Sequence, residues 1–266
     1  MVTLISTSLL AGLVAIAATI AVERLGGKMG GIIATLPTTI VPATWGFWAV
    51  SEGMPVKALA AVPMGMLVNA GFLWCWRVLP PLLPSWSMAK KLSAMVTLSL
   101  TVWLVLALFS MVIGSTTVVS PIALGLGALG LHVILGLYTT WNFRPSPKGK
   151  RPVSLFALLS RGVLAATAVA TAILIASSGF EVAAGIASVF PAIFLTTMVS
   201  LWWSQGQAVP LGAVGPITLG SVVVSAYALI AIWTFESFGV VTGTIIAWIG
   251  SVLCCSVPAV FWLNRK

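Results

Sequence analysis

Apolar residues in this chain come in blocks of about twenty, and polar residues collect in the short stretches between them. A block of that length suits a helix that crosses a bilayer. Nine such runs are predicted, over residues 2–22, 30–50, 56–79, 92–113, 117–140, 155–178, 182–203, 209–233 and 239–262. Two of the nine carry the same interruption. GGIIATLPTTIVPATWGFWAVSEG, from Gly30 to Gly53, returns as AGIASVFPAIFLTTMVSLWWSQG, from Ala184 to Gly206. Gly31 aligns with Gly185, Pro37 with Pro191, Ser51 with Ser204 and Gly53 with Gly206, while Glu52 falls on Gln205. After a one-residue slip, Pro63 of the third run matches Pro216 of the eighth.

Repetition of this kind points to two related halves. The fold class expected is an all-α polytopic membrane protein with an inverted four-plus-one-plus-four plan. Residues 1–113 form the first four-helix repeat, 114–151 a linker helix and cytosolic loop, and 152–266 the second repeat. A single linker helix turns the second copy upside down. Such copies face each other about a pseudo-two-fold axis in the membrane plane, and one site between them can open to either side in turn.

Composition agrees with lipid as the solvent. Of 266 residues 60% are hydrophobic and only 6% charged, where soluble domains carry roughly 25% charged residues. The net charge of +9 would suggest nucleic acid in a soluble chain. Here the cations sit in connections between apolar runs, which reads as anchoring to a membrane surface, and no nucleic acid partner is expected. With nine spans, 12 of the 13 basic residues fall on one face, and Lys57 alone on the other. That bias predicts an outside N-terminus and a cytosolic C-terminus. Trp45, Trp48 and Trp233 then lie near the outer interface, and Trp74, Trp76, Trp141, Trp202, Trp203 and Trp262 near the inner one. Trp103 and Trp248 are the exceptions, near the middles of the fourth and ninth runs. MVTLISTSLL lacks the basic n-region of a signal peptide, so the first run is read as a span.

Two prolines five apart, Pro37 and Pro42, suggest a broken helix rather than a bent one. Freed backbone groups in lipid need partners, which threonine hydroxyls or water supply. The candidate substrate-binding residues are therefore Thr35, Pro37, Thr38 and Thr39 in one copy, and Ser188, Pro191, Thr196 and Thr197 in the other. Asn69, inside the third run, joins them. Two facing breaks expose helix N-termini to a shared polar chamber suited to an anion or a polar neutral solute. The alternative is that both prolines merely kink their helices.

Glu23, His132 and Arg161 are the candidates for coupling, with a proton or sodium ion as the coupling ion. His132 either relays protons or ties its helix in place by a hydrogen bond. Arg161 either snorkels to the interface or meets an anionic substrate. Glu23 has Arg24 and Lys28 beside it. The four carboxylates all fall at helix ends, so no metal site is expected, and no acid pair, HExxH or GxSxG suggests catalysis. Cys75, Cys254 and Cys255 read as packing residues, without a CxxC or Cys/His cluster. The Gly26 to Gly31 run lacks the spacing of a phosphate loop. No cofactor is expected, and the oligomeric state stays open.

AGIASVFPAIF and GGIIATLPTTI, each followed by a Ser-Glu-Gly or Ser-Gln-Gly turn, resemble the G-L-x-x-x-F-P-T stretch of GlpM, a family of small bacterial inner-membrane proteins. The resemblance spans about twenty residues per half. It implies a bacterial inner-membrane protein in which two short units, otherwise paired head to tail, are fused. It carries no catalytic residue over. The plan is also similar to that of fused fluoride channels, but their phenylalanine-rich and Gly/Arg motifs are absent, so that function is not assigned. The expectation is a secondary transporter of a small anionic or polar neutral solute. The alternatives are a passive channel, a lipid scramblase, or a non-transporting subunit of an envelope biosynthesis complex.

Overall fold

A computed structural model describes residues 2–25, 36–51, 53–116, 118–141 and 155–265, with backbone only for residues 2, 3, 21–25, 204 and 205. Among these the chain is all helical. The elements are α1 (Val2–Leu25), α2 (Val41–Val50), α3 (Val56–Val78), α4 (Met88–Gly114), α5 (Pro121–Thr140), α6 (Leu155–Ser177), α7 (Glu181–Ser188), α8 (Ala192–Gln205), α9 (Ala208–Ser251) and α10 (Val257–Leu263). A π-helical turn, Val252–Ser256, links the last two. Six helical stretches are long and apolar enough to cross a membrane: α3, α4, α5, α6, the α7–α8 run, and the run from α9 to α10.

The nine predicted runs do not appear as nine separate helices. The seventh is broken between α7 and α8. The described part of the second is a turn followed by the short α2. The eighth and ninth form one helical run that doubles back at Gly239, whose φ of 73° and ψ of 168° lie where a side chain is strained. Thr234 donates to the carbonyl of Gly243 across the bend, and Ile230 lies against Gly250. The predicted runs 209–233 and 239–262 leave residues 234–238 between them; these are helical, and one glycine makes the turn.

Among membrane helices, association rests on close packing rather than on expulsion of water, so small residues mark the contacts. α1 and α6 cross at glycine on both sides. A methyl on Gly12 would lie 2.8 Å from the Gly162 carbonyl oxygen, and one on Gly162 would lie 3.3 Å from that of Gly12. Gly12 also faces Ala166, Ile16 faces Gly162 and Thr19 reaches Arg161, so the two helices run antiparallel. α5 and the first arm of α9 are antiparallel too, with Gly125 against Leu229, Gly136 against Leu219 and Thr139 against Gly215. α3 runs with α5, since Ala60 meets Gly125 and Trp74 meets Tyr138. It therefore opposes the first arm of α9.

α3 is the centre of the bundle, packed against α4, α5, α7 and α9. One core cluster joins Phe47 of α2, Leu59 and Met66 of α3, Ile173 of α6, and Tyr227 and Phe235 of α9. The second gathers Phe72 and Trp76 of α3, Met95 and Trp103 of α4, and Met198 and Trp202 of α8. α4 lies at the edge, showing Leu104, Leu108, Phe109 and Val112 outward.

Candidate functional site

Proline has no N–H to give and fixes its own φ, so the chain must turn where a helix meets it. Both matched prolines do this in the same way. Thr38 N–H donates to the Leu36 carbonyl at 2.8 Å around Pro37, and Ala192 N–H donates to the Phe190 carbonyl at 2.7 Å around Pro191. These are three-residue turns with proline at the centre, and Pro191 has φ −75° and ψ 36°. The helices restart differently. α8 begins at once, with Leu195 N–H donating to the Pro191 carbonyl, while α2 begins at Val41, four residues after Pro37. Pro42 then falls in the first turn of α2, where its missing N–H costs nothing. The two stretches differ again at their ends: Gly206 takes φ 86°, and Gly53 has no positive φ.

The Pro191 turn is held by helices from elsewhere in the chain. Asn69 of α3, 2% exposed, donates from Nδ2 to the carbonyl of Val189 at 2.7 Å. Its Oδ1 accepts from Trp103 Nε1 at 2.8 Å, and the Trp103 ring stands edge-on to Phe190. Beyond the Pro37 turn, α2 is tied to α9: the hydroxyls of Thr44 and Tyr227 lie 3.2 Å apart, and Trp45 Nε1 donates to Thr244 at 2.7 Å. Asn69 is thus a clasp on the second break, with its amide occupied by backbone and indole.

Arg161 sits about 9 Å along α6 from its start, by the helical rise, and is 7% exposed. It does not snorkel. Its Nε donates to Thr196 at 3.0 Å, Nη2 to Thr197 at 2.9 Å, and Nη1 to Thr19 of α1 at 3.2 Å. The hydroxyls of Thr19 and Thr196 donate in turn to the carbonyls of Ala15 and Ala192. That leaves their lone pairs facing the guanidinium. The charge therefore lies beside the opening turn of α8, where the helix dipole adds to it. A buried fork of this kind is electropositive, planar and suited to a carboxylate or phosphate oxygen.

Two of the predicted residues, Thr196 and Thr197, are thereby brought onto Arg161. Ser188 donates to the Gly185 carbonyl of its own helix. Thr38 and Thr39 are half-buried in the first turn. His132 is fully buried, with Nε2 3.3 Å from the Ser221 hydroxyl, which ties α5 to α9. Thr35 and the side chain of Glu23 lie outside the described residues, as do Glu52 and the side chains of Ser204 and Gln205. Among the described residues, no group of His, Cys, Asp and Glu is placed to hold a metal ion. Two open grooves line the start of α4, one of them reaching Val199 and Trp203 of α8. Neither is lined by Arg161 or by the proline turns.

Thr19, Thr44 and Tyr227 were not expected at the site. Each is a lone hydroxyl in an apolar run and gives no signal until the helices are packed. Comparison with family profiles, curated proteins and solved structures finds no match to this chain.

Proposed function

We propose that this protein is a secondary transporter that moves a small anionic solute by alternating access, with Arg161, Thr19, Thr196 and Thr197 at its binding site. The observation that carries the reading is the buried Arg161 guanidinium, fixed by three hydroxyls at the turn where α8 begins. An ionised group within an apolar helix is costly, and a functional role is its default explanation.

Two further observations support alternation. The matched prolines centre the same turn, and the paired helices α1 with α6, and α3 with the first arm of α9, run in opposite directions. Opposed directions are what an inverted repeat requires. On this reading the N-terminus is outside and the C-terminus cytosolic, and a proton or sodium ion drives the cycle. The third helix of each copy reaches the interrupted run of the other: Asn69 holds Val189 at the break, and Tyr227 meets Thr44 within α2. Releasing one clasp while keeping the other opens the site to one side.

The test is uptake of labelled organic anions into proteoliposomes. Saturable uptake with counterflow, abolished in Arg161→Gln and reduced in the double variant Pro37→Ala/Pro191→Ala, is expected. Uptake indifferent to both would overturn the proposal, and flux without counterflow would assign a pore instead.

A further inference from the structure

α5 ends at Thr140, and the last carbonyls of any helix lack partners within it. Here two arginines from distant segments supply them. Arg77, in the last turn of α3, donates from Nη1 to the Thr139 carbonyl at 2.9 Å, and Arg265 donates from Nη2 to the Trp141 carbonyl at 3.0 Å. Both guanidinium groups lie over aromatic faces: Arg77 over Trp74, and Arg265 over Trp262 and Trp141. Tyr138 packs against Trp74, and Trp262 donates to the Thr140 hydroxyl.

Helix capping accounts for one N–H on each arginine. A guanidinium has five, in a fork that matches phosphate oxygens. Both arginines are exposed, and Trp141 and Tyr138 are 61% and 68% exposed beside them. Exposed Trp and Tyr at the end of an apolar helix mark the headgroup level of a membrane. The chain has four carboxylates, Glu23, Glu52, Glu181 and Glu236, and none belongs to the three segments that meet here. Two exposed cations beside exposed rings at a helix end, each with donors beyond the one used in capping, suit an anion that arrives with acyl chains.

We infer that Arg77, Arg265 and the rings of Trp74, Trp141 and Trp262 form a binding site for the phosphate headgroup of an anionic phospholipid at the end of α5. The rings flank the acyl chains near the glycerol, and the arginines take the phosphate. The site is independent of Arg161 and of what the protein transports.

The experiment uses the full chain in nanodiscs of phosphatidylcholine with added phosphatidylglycerol, followed by release into detergent and native mass spectrometry. The protein is expected to retain phosphatidylglycerol over phosphatidylcholine. Arg77→Gln/Arg265→Gln should retain roughly tenfold less, as expected from two cations near a charged surface. Lys57→Gln, at the opposite end of α3, should retain as much as the unaltered chain. Should the double variant lose helicity by circular dichroism, Arg265→Gln alone leaves the Arg77 cap and should show a smaller loss in the same direction. Retention unchanged by these substitutions, or lost equally in Lys57→Gln, would overturn the site. Thermal protection by inorganic phosphate equal to that by phosphatidylglycerol would overturn the lipid as its occupant.

Discussion

Asn69 and Val189 lie 120 residues apart in the chain, and the amide of one holds the carbonyl of the other at 2.7 Å. The carbonyl is at the broken end of α7, and the same asparagine takes the indole N–H of Trp103. One side chain thus satisfies the carbonyl freed at the break and the buried indole N–H beside it. Asn69→Leu fills the space without replacing either bond. It is expected to lower stability by about 2 kcal/mol, since a buried polar group left unpaired costs about 1–3 kcal/mol. Thermal unfolding in detergent, followed by circular dichroism, measures the loss, and an unchanged midpoint would show that the clasp is idle.

Arg161→Lys keeps the charge but has no planar fork with which to span Thr19, Thr196 and Thr197 together. If the proposed anion carrier binds its solute here, weaker binding with residual turnover is expected, seen as a KM raised about tenfold or more, the scale of a lost charge-assisted bond. Kinetics of anion uptake in proteoliposomes read this directly. An unchanged KM would place the solute elsewhere.

His132 is bound to Ser221 within the α5–α9 contact, which fits a tie between helices. His132→Gln retains a hydrogen-bonding amide and has no titrating ring. Uptake driven by a pH gradient should survive this change within about twofold, a difference below 0.5 kcal/mol. Loss of gradient-driven uptake, with counterflow intact, would make the histidine a proton relay.

Gly185 packs so closely on α3 that an added methyl would overlap the Ala58 carbonyl. The carbonyl belongs to the helix backbone and has nowhere to move. Gly185→Ala should cost about 1–3 kcal/mol, the usual penalty for overfilling a packed interior. Gly127, with open space around it, is the control, and Gly127→Ala should leave the unfolding midpoint unchanged.

In a background without Cys75, Cys254 and Cys255, single cysteines at Ser51 and Gly206 should react with an impermeant maleimide from opposite sides of the membrane. These positions end α2 and α8. Labelling from one side would end the inverted arrangement.

Much of the helical layout was readable from the pattern of apolar residues, because a twenty-residue apolar run in lipid has few alternatives to a helix. The break at Pro191 was readable as well, since proline removes a donor wherever it falls. What the pattern could not give was the company each residue keeps. Arg161 sits close enough to the start of α6 that snorkelling looked sufficient. Only packing shows three threonines, from two other helices, closing over it. Asn69 looked like a ligand because a lone amide in an apolar run has no visible use. Its use is Val189, and nothing local in the sequence records that partnership. The turn at Gly239 left no mark beyond the gap of five residues between the eighth and ninth runs. A single left-handed glycine makes the turn, and hydrophobicity does not record it.

The reversal at Gly239 bears on biogenesis. Its two arms are joined by one residue, with no spacer that could wait in water while the first arm settles. So short a join ties the membrane entry of each arm to that of the other, and the two are expected to go in as a hairpin.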